Sequence, residues 1–381
     1  MSHKLLIVSY YFFPENKPRA FRTFELTKGL CEIGFDVTLV VPSYNITYLD
    51  LTKKFSNLTI LQLPDANKSQ KITISEKKQS KGKSTLRILL ERSVYALFPS
   101  GSDAKYGYQL IQFFRRNRGI YDTVISISYP YSVHFGVVVS KKLKYLKAKS
   151  FITEFGDTLV GCPALPKSIV HKILQKFISV NSNYIVTPTH LAIPNLSIYK
   201  EKENVKVIPQ GFNFSDVKTK EYKKNVIPTF GYAGSFHYTM RNPEILLELL
   251  STLNIDFRFI IYTNLKDNNL VVLFEKYKKK LGEKLVINSV IPRLEVLEKL
   301  STMDFLVFEE NVSNNQSPSK IIDYKLTGRP IFSFHQNSIN VEKFLEFLNF
   351  NFTNQSYMDF KIEDFSIEKV IDKYKALIDS Y

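Results

Sequence analysis

The sequence predicts an α/β protein of two domains, each built on a parallel β-sheet. Short apolar runs at residues 4–10 and 37–41 have the pattern of buried strands, and residues 21–33 between them have helical spacing. Such a strand–helix–strand unit normally joins right-handed into a parallel sheet. The length of 381 residues suits two domains of ordinary size, and a polar, lysine-rich stretch at 213–227 indicates a linker. We therefore expect domains over residues 1–215 and 225–365.

Composition and charge narrow the class of protein. Hydrophobic residues make up 44% of the chain, so each domain can bury a sizeable core. The formal net charge of +16 suits an anionic partner, such as a nucleic acid, an anionic membrane or a phosphorylated substrate. No apolar run approaches the roughly 20 residues that span a bilayer, and no secretory signal opens the chain. We expect a cytoplasmic protein whose membrane contact, if any, is peripheral at the inner face of the cell membrane.

The cysteines and histidines do not indicate a metal or redox site. Cys31 and Cys162 are not spaced as a ligand pair, the six histidines are scattered, and no Asp-x-Asp stands out. We expect reduced cysteines, no bound metal and no cofactor.

A polar loop marked by two prolines is predicted after the first strand, from Pro14 to Arg19. Ligands of parallel sheets bind at the carboxyl ends of the strands, where this loop lies. Arg19 is its candidate ligand-binding cation, with Lys17 and Arg22 beside it. The alternative is that all three are ordinary surface charges.

Two basic segments follow in the first half. Residues 65–92 are rich in lysine and arginine, which predicts an exposed loop that is either a solvated excursion or a contact for anionic lipid or an acidic acceptor. Residues 86–98 have amphipathic helical spacing, which suits either a membrane surface or core packing. The lysines at 141–149 are expected at the C-terminus of a helix, where the dipole favours them.

Three polar residues are predicted near the ends of strands 123–127 and 150–153. They are His134, Glu154 and Asp157. Carboxylates near a sugar can orient its hydroxyls, and one of these groups can accept a proton from an acceptor hydroxyl. The alternative is structural, with Asp157 as a helix cap and His134 as a packed helix residue.

In the second half, a strand at 229–234 ends in glycine, and small residues let a ligand approach the backbone closely. Gly234 and Ser235 are therefore candidate donor-binding residues. Arg241 follows in the same loop, and a guanidinium can clasp phosphate with two hydrogen bonds. The alternative is a solvated arginine at a helix N-terminus.

The most informative stretch lies near the C-terminus. A buried-strand pattern at 303–308 precedes a polar loop and a helix that begins at Ser317 and ends before Gly328. A helix N-terminus with Lys320 in its first turn is a good anion site. Asp323 lies three residues on and suits sugar hydroxyls. Phosphate and polyol together indicate a nucleotide sugar, whereas the alternative is an ordinary capped helix with solvated charges.

Ser-Pro-Ser-Lys-Ile-Ile-Asp-Tyr at 317–324, with Thr-Gly-Arg-Pro-Ile at 327–331, resembles the nucleotide-sugar signature of family 4 (group 1) glycosyltransferases. Val-Ile-Pro-Gln-Gly-Phe at 207–212 is similar to the element that closes the N-terminal domain in that family. The resemblance implies the GT-B fold, with two Rossmann-like doubly wound parallel-sheet domains facing across a cleft. It also implies that a terminal helix, residues 366–381, returns to the first domain.

The same resemblance implies the roles of the residues. Lys320 would meet the donor diphosphate and Asp323 the ribose. The family's first acid would stand at Asn315, where this chain has an amide with Glu309 and Glu310 nearby. The implied donor-binding residues are Gly234, Ser235, Ile291, Pro292, Asn315, Ser317, Ser319, Asp323 and Arg19. The catalytic candidates are Lys320, Arg241, Glu154, Asp157 and His134.

The resemblance predicts an enzyme, a glycosyltransferase that moves a sugar from a nucleotide-sugar donor to a glycan or polyprenyl-linked acceptor. Members of the family generally retain the anomeric configuration without a metal, and a role in cell-surface polysaccharide biosynthesis is expected. One alternative is a non-catalytic protein of the same fold that binds nucleotide or glycan. A nucleic-acid-binding protein would explain the charge, but no helix-turn-helix, RNP or zinc pattern supports it, so we expect no nucleic-acid partner.

Overall fold

The computed structural model describes residues 3–15, 17–63, 104–161, 168–239, 241–265, 267–310, 319–355 and 361–380. The chain divides into two compact units, an N-terminal unit of Met1–Phe212 with Ile367–Tyr381 and a C-terminal unit of Asn213–Ser366. The basic loop at 65–92 and the helix predicted at 86–98 lie outside the described residues. None of the described helices is long and apolar enough to cross a membrane.

The N-terminal unit is built on a seven-stranded parallel sheet with strand order β3-β2-β1-β4-β5-β6-β7. Its inner strands are nearly continuous apolar runs because helices cover both faces of such a sheet. The strands are β1 (Lys4–Ser9), β2 (Asp36–Pro42), β3 (Leu58–Leu63), β4 (Gly119–Ile127), β5 (Leu146–Glu154), β6 (Tyr184–Thr187) and β7 (Val205–Val207). The helices between them are α1 (Pro18–Glu32), α2 (Leu49–Lys54), α3 (Ala104–Arg116), α4 (Ser132–Lys142), α5 (Ile169–Val180) and α6 (Ile193–Leu196).

The C-terminal unit has a five-stranded parallel sheet with strand order β10-β9-β8-β11-β12. Its strands are β8 (Thr229–Ala233), β9 (Arg258–Tyr262), β10 (Leu285–Asn288), β11 (Phe305–Glu309) and β12 (Ile331–Phe334). Its helices are α7 (Glu244–Thr252), α8 (Asn268–Leu281), α9 (Arg293–Leu300), α10 (Ser319–Leu326) and α11 (Val341–Leu348). Phenylalanines fill the core: the Phe230 ring stacks between Phe259 and Phe305, with centroids 4.8 and 4.7 Å away.

The last helix, α12 (Ile367–Asp379), packs on α1 in the N-terminal unit. Gly29 of α1 permits this close approach, because an added Cβ would lie 2.5 Å from Cγ1 of Ile371. The Ile367 amide also donates to the Phe212 carbonyl at 2.9 Å. The end of the chain is therefore part of the N-terminal core.

The first helix ends where its sequence predicts, but it begins at Pro18, three residues before the predicted start at Phe21, so Arg19 lies in the helix and not in the predicted loop. Pro18 stands in its first turn, where the missing N–H costs nothing. Gly34 follows it with a φ of +95°, and the amides of Gly34 and Phe35 donate to the carbonyls of Cys31 and Leu30. Burial raises the pKa of the Cys31 thiol to about 12, as suits an unreactive core cysteine.

Two local predictions were wrong. Lys147 and Lys149 do not belong to a helix C-terminus, because α4 ends at Lys142 and both lysines lie in β5, on a strand whose alternate residues reach solvent. His134, predicted near the end of a strand, lies within α4, which begins at Ser132. Its ring is completely buried against Phe155, with centroids 4.8 Å apart.

Candidate functional site

The C-terminal unit has one topological switch point in its described sheet, between β8 and β11. The chain runs outward from β8 to β9 and β10, and then returns to β11 on the other side of β8. In open parallel sheets of this kind, ligands bind in the crevice outside the carboxyl ends of the two switch-point strands. β8 ends at Ala233 and β11 ends at Glu309, so Gly234 and Glu309 mark the floor of this crevice.

Lys320 reaches into this crevice from the first turn of α10. Its ammonium donates to the Tyr232 hydroxyl at 2.8 Å and lies directly over Gly234. An added Cβ at Gly234 would lie 1.9 Å from the Lys320 Nζ, and Gly234 has a φ of +139°. Glycine is therefore required there both for the backbone conformation and for the space that the lysine occupies.

A second cation, Arg241, stands near Lys320. A short antiparallel bridge fixes its backbone: the Arg241 amide donates to the His237 carbonyl at 2.8 Å, and the His237 amide donates back at 3.0 Å. Burial and repulsion by Arg241 lower the pKa of Lys320 to about 7, although Glu309 and Asp323 oppose this. Burial and the same two cations lower the pKa of His237. Burial and the neighbouring cations therefore disfavour the protonated forms of Lys320 and His237.

Glu309, the last residue of β11, is the buried acid of this cluster. It is 2% exposed, and neither carboxylate oxygen has a partner with hydrogen-bonding geometry among the described residues, although the nearby backbone N–H of Asn242 favours its ionised form. Burial raises the pKa of Glu309 to about 7, even though Arg241 and Lys320 favour its ionised form. The cluster therefore contains an acid and a base that both titrate near neutral pH.

Asp323 lies one turn along α10 from Lys320 and has a protein partner. The Nε and Nη2 atoms of Arg293 donate to its Oδ1 at 2.9 and 2.5 Å. Burial raises the pKa of Asp323, while Arg293 opposes the rise. Both hydrogen bonds of this pair go to Oδ1. Ile291 and Pro292 immediately precede Arg293 and form the approach to α9.

The remaining donor-binding predictions of this unit lie close by. Ser235 is exposed and follows Gly234, and its carbonyl accepts from the Tyr232 hydroxyl at 3.2 Å. Ser319 begins α10, but its side chain, together with Asn315 and Ser317, lies outside the described residues. Their roles, and the predicted helix start at Ser317, stay predictions.

A cavity of about 340 Å³ opens beside the Arg241 turn in the same unit. Asn242 lines this cavity, and its backbone N–H interacts with Glu309, so the cavity adjoins the charged cluster. Amide, carboxylate and phenol groups of this kind suit the hydroxyls of a sugar. The lining consists of Tyr238, Asn242, Glu244, Ile245, Glu248, Gln336 and Asn337.

In the N-terminal unit, Arg19 and Asp157 come together at the carboxyl end of the sheet. The Arg19 Nη2 lies 3.2 Å from the Asp157 Oδ2, and both side chains are partly exposed. The guanidinium covers Gly156, where an added Cβ would lie 1.8 Å from the guanidinium carbon. The Asp157 carbonyl accepts from the Tyr131 hydroxyl at 3.0 Å. Arg19 and Asp157 thus form a half-buried pair that a ligand can reach.

Glu154 and His134 are placed differently, because both are completely buried. The Glu154 carboxylate accepts short hydrogen bonds from Arg22 and from the Tyr374 hydroxyl of α12. Nδ1 of His134 lies 2.7 Å from the Ser126 hydroxyl and Nε2 lies 3.2 Å from the Glu154 carbonyl. Burial lowers the pKa of His134 to about 3, so the ring is neutral. These contacts fit the structural alternative, and a catalytic role for either residue stays a prediction.

Sequence reasoning did not find Tyr232, Arg293 or Tyr324 as members of the site. Tyr232 lies two residues before Gly234 on the same side of β8, so strand alternation carries a weak signal for it. The Tyr324 hydroxyl accepts from the Ala233 amide at 2.9 Å and so ties α10 to the end of β8. Arg293 precedes Asp323 by 30 residues and carries no local signal. No group of three or more potential metal ligands occurs among the described residues.

No family model and no curated protein matches this chain at significant similarity. Solved structures do match it over nearly its whole length. A glycosyltransferase from Rickettsia africae matches with a TM-score of 0.61 and 13% identity, covering 100% of this chain and 98% of its own. The catalytic domain of starch synthase IV from Arabidopsis thaliana, bound to ADP and acarbose, matches with a TM-score of 0.59 and 10% identity, covering 100% and 99%.

A protein from Listeria monocytogenes, provisionally assigned as a UDP-N-acetylglucosamine 2-epimerase, has a TM-score of 0.57 and 12% identity, covering 100% of this chain and 96% of its own. At these identities the similarity concerns the fold. With the two parallel-sheet units, it shows that the chain has the GT-B fold, as the sequence predicts.

Proposed function

We propose that this protein is a glycosyltransferase that moves a sugar from a nucleotide-sugar donor to a glycan or polyprenyl-linked acceptor. The observation that carries the proposal is the cation pair Lys320 and Arg241 at the switch point of the C-terminal unit, in a fold shared with a glycosyltransferase and a starch synthase. Because the surroundings of Lys320 disfavour its protonated form, a bound anion would stabilise the site, and a diphosphate supplies two or more negative charges.

The cations have a direct role in the proposed reaction. When the bond between the sugar and the diphosphate breaks, negative charge develops on the leaving phosphate oxygens. Tyr232 holds the Lys320 ammonium before the donor arrives, and the bridge to His237 fixes the backbone of Arg241, which reduces the reorganisation that donor binding needs. In this proposal the Asp323 carboxylate accepts a hydrogen bond from a ribose hydroxyl, while Arg293 holds its Oδ1.

The sugar itself would occupy the cavity beside Asn242, where amide and carboxylate groups face its hydroxyls. Arg19 and Asp157, which pair within the N-terminal unit, are proposed as further ligand-binding residues. We further propose transfer with retention, chemistry without a metal ion, and a role in cell-surface polysaccharide biosynthesis at the cytoplasmic face of the membrane. The net charge of +16 supports an anionic, lipid-linked acceptor.

A thermal-shift screen against UDP, GDP, CMP and ADP, followed by their sugars, identifies the nucleotide. Mass spectrometry of the reaction with that sugar nucleotide then distinguishes transfer from epimerisation or hydrolysis. Lys320→Ala is expected to lower the transfer rate about 10²- to 10³-fold. Lys279→Ala, at an exposed position of α8, is the control and should match the wild type. Full activity of Lys320→Ala would contradict the proposal.

A non-catalytic binding protein is the second candidate. One observation favours it: the predicted ribose ligand Asp323 already forms a two-point ion pair with Arg293. In that case the nucleotide would raise the melting temperature, but no acceptor mixture would yield a glycosylated product and no slow hydrolysis of the donor would be detected.

A further inference from the structure

The outward side of α5 is apolar at positions that face solvent. Ile169, Ile173 and Val180 are 74%, 62% and 54% exposed. Surface helices normally present charged or polar residues to water on this side. We call this surface the α5 outer stripe, and it consists of Ile169, Lys172, Ile173, Lys176, Phe177 and Val180.

These apolar side chains are exposed in addition to a normal buried side, because the inner side of α5 already packs in the N-terminal unit. Leu174 and Ile178 are buried there with Phe155 and Leu196. The residues of the α5 outer stripe stand at positions i, i+3, i+4, i+7, i+8 and i+11, so they form one continuous line along the helix. By contrast, the exposed positions of α12 mix both signs of charge, with Glu368, Lys369, Asp372, Lys373, Lys375 and Asp379.

Neighbouring α4 extends this surface. The rings of Phe135 and Phe177 lie 6.1 Å apart, and the Lys141 ammonium donates to the Asn181 carbonyl at 2.7 Å. Leu143, which follows α4, is 50% exposed. The apolar side chains of the two helices therefore lie beside one another at one face of the N-terminal unit.

The sequence around this surface is mostly basic, although Lys149 pairs with Asp122 at 2.7 Å and two acids, Glu201 and Glu203, follow Lys200. Between Thr123 and Lys200 the sequence contains nine lysines and two acids, Glu154 and Asp157. Each of these acids forms an ion pair with an arginine of α1. The lysines of the stripe itself, Lys172 and Lys176, are exposed. No acidic residue lies in α4 or α5 to balance them.

We propose that the α5 outer stripe is a docking surface for an anionic lipid bilayer. Isoleucine, valine and phenylalanine on a convex helix can enter the boundary between headgroups and acyl chains, while lysines between them extend to the phosphates. The exposed Lys172 and Lys176, with no acid in α4 or α5, fit an anionic membrane. This inference does not depend on sugar transfer.

Flotation of the full chain with vesicles tests the proposal without donor or acceptor. One set of vesicles contains phosphatidylcholine alone, and the other contains equal amounts of phosphatidylcholine and phosphatidylglycerol. The wild type should float with the second set, and raising the salt concentration should weaken this binding. Ile169→Ser with Ile173→Ser should lower the partition coefficient about tenfold or more, because both side chains are largely exposed in the free protein. Lys172→Glu with Lys176→Glu should do the same.

Val272→Ser with Lys279→Glu is the matched control. Val272 is 65% exposed on α8 of the C-terminal unit, beside exposed Lys279, and this variant should float as the wild type does. All variants alter exposed side chains, so unchanged circular dichroism and melting temperature verify their folding. Failure of the wild type to bind phosphatidylglycerol vesicles, or full binding by both α5 variants, would overturn the proposal. The proposal would also be overturned if the wild type does not bind vesicles and light scattering shows instead a dimer that Ile169→Ser with Ile173→Ser dissociates.

Discussion

Replacing Lys320 with methionine should stabilise the ligand-free protein and weaken nucleotide binding. Methionine keeps the length of the stem and removes the ammonium, which in the free protein is disfavoured by burial and by Arg241. The Tyr232 hydroxyl keeps a partner in the Ser235 carbonyl. A residue that only stabilised the fold would show the opposite effect on stability when replaced.

The size and pH dependence of the effect follow from the pKa of Lys320. Folding moves this pKa from 10.5 to about 7, so between these values the folded state binds fewer protons than the unfolded state. The wild type therefore loses stability as the pH falls from above 10.5 to about 7, and the cost then stays constant. At about 1.4 kcal/mol per pH unit the upper limit is about 5 kcal/mol. Solvent around the half-buried side chain reduces this to roughly 1–2 kcal/mol.

Calorimetry at two pH values provides the assay. At about pH 6 the variant should melt about 2 to 6 °C above the wild type, and by about pH 10 the difference should shrink toward zero. Lys279→Met, on the exposed side of α8, should show no such change. The affinity for the cognate nucleotide should fall about 10- to 100-fold, as for the loss of a charged hydrogen bond. A variant that melts lower at both pH values, or that binds nucleotide normally, would refute this reasoning.

Three further predictions concern the same contacts. Gly234→Ala should abolish nucleotide binding in a thermal-shift assay, because the added Cβ would displace Lys320. The control is Gly282→Ala, where the φ is +55° and the added Cβ meets open space; it should lose only about 1 kcal/mol of stability and bind nucleotide normally. UDP affinity measured by calorimetry, or that of whichever nucleotide binds, should weaken above about pH 7 as Lys320 loses its proton. Glu154→Gln should lower the free energy of unfolding in urea by about 3–5 kcal/mol, because it leaves buried Arg22 without its carboxylate partner. Loss of activity at unchanged stability would instead support a catalytic role for Glu154.

The fold was predictable because its information is local. Inner strands such as β1 and β11 are short apolar runs buried on both faces, and glycine or proline marks where neighbouring helices end. One helix and one strand at 49–63, α2 and β3, were not predicted: α2 is only six residues long, and the edge strand β3 mixes polar and apolar residues. Helix α8, at Asn268–Leu281, was also missed, because its five apolar residues at 270–274 are consecutive and are followed by a segment rich in lysine.

The site was predictable only in part, because its partners are distant in sequence. Lys320 and Asp323 share one helix turn, and their spacing carries the signal. Their partners Tyr232 and Arg293 precede them by 88 and 30 residues, so only the assembled sheet brings them together. Glu154 shows the same difficulty in reverse, because its partners Arg22 and Tyr374 lie 132 and 220 residues away. A carboxylate at a strand end looks the same in sequence whether it faces solvent or an arginine.

The near-neutral titration of Lys320 and Glu309 gives the site a physical advantage over a permanently charged one. Two fully charged cations held close together without an anion would destabilise the C-terminal unit, and the buried glutamate offsets part of that cost. Under the proposed function, a diphosphate bound beside Lys320 would raise the pKa of that lysine toward its ordinary value, so binding and proton uptake would be coupled near pH 7. Loss of the diphosphate would release the same proton, which couples the protonation of Lys320 to occupancy of the site.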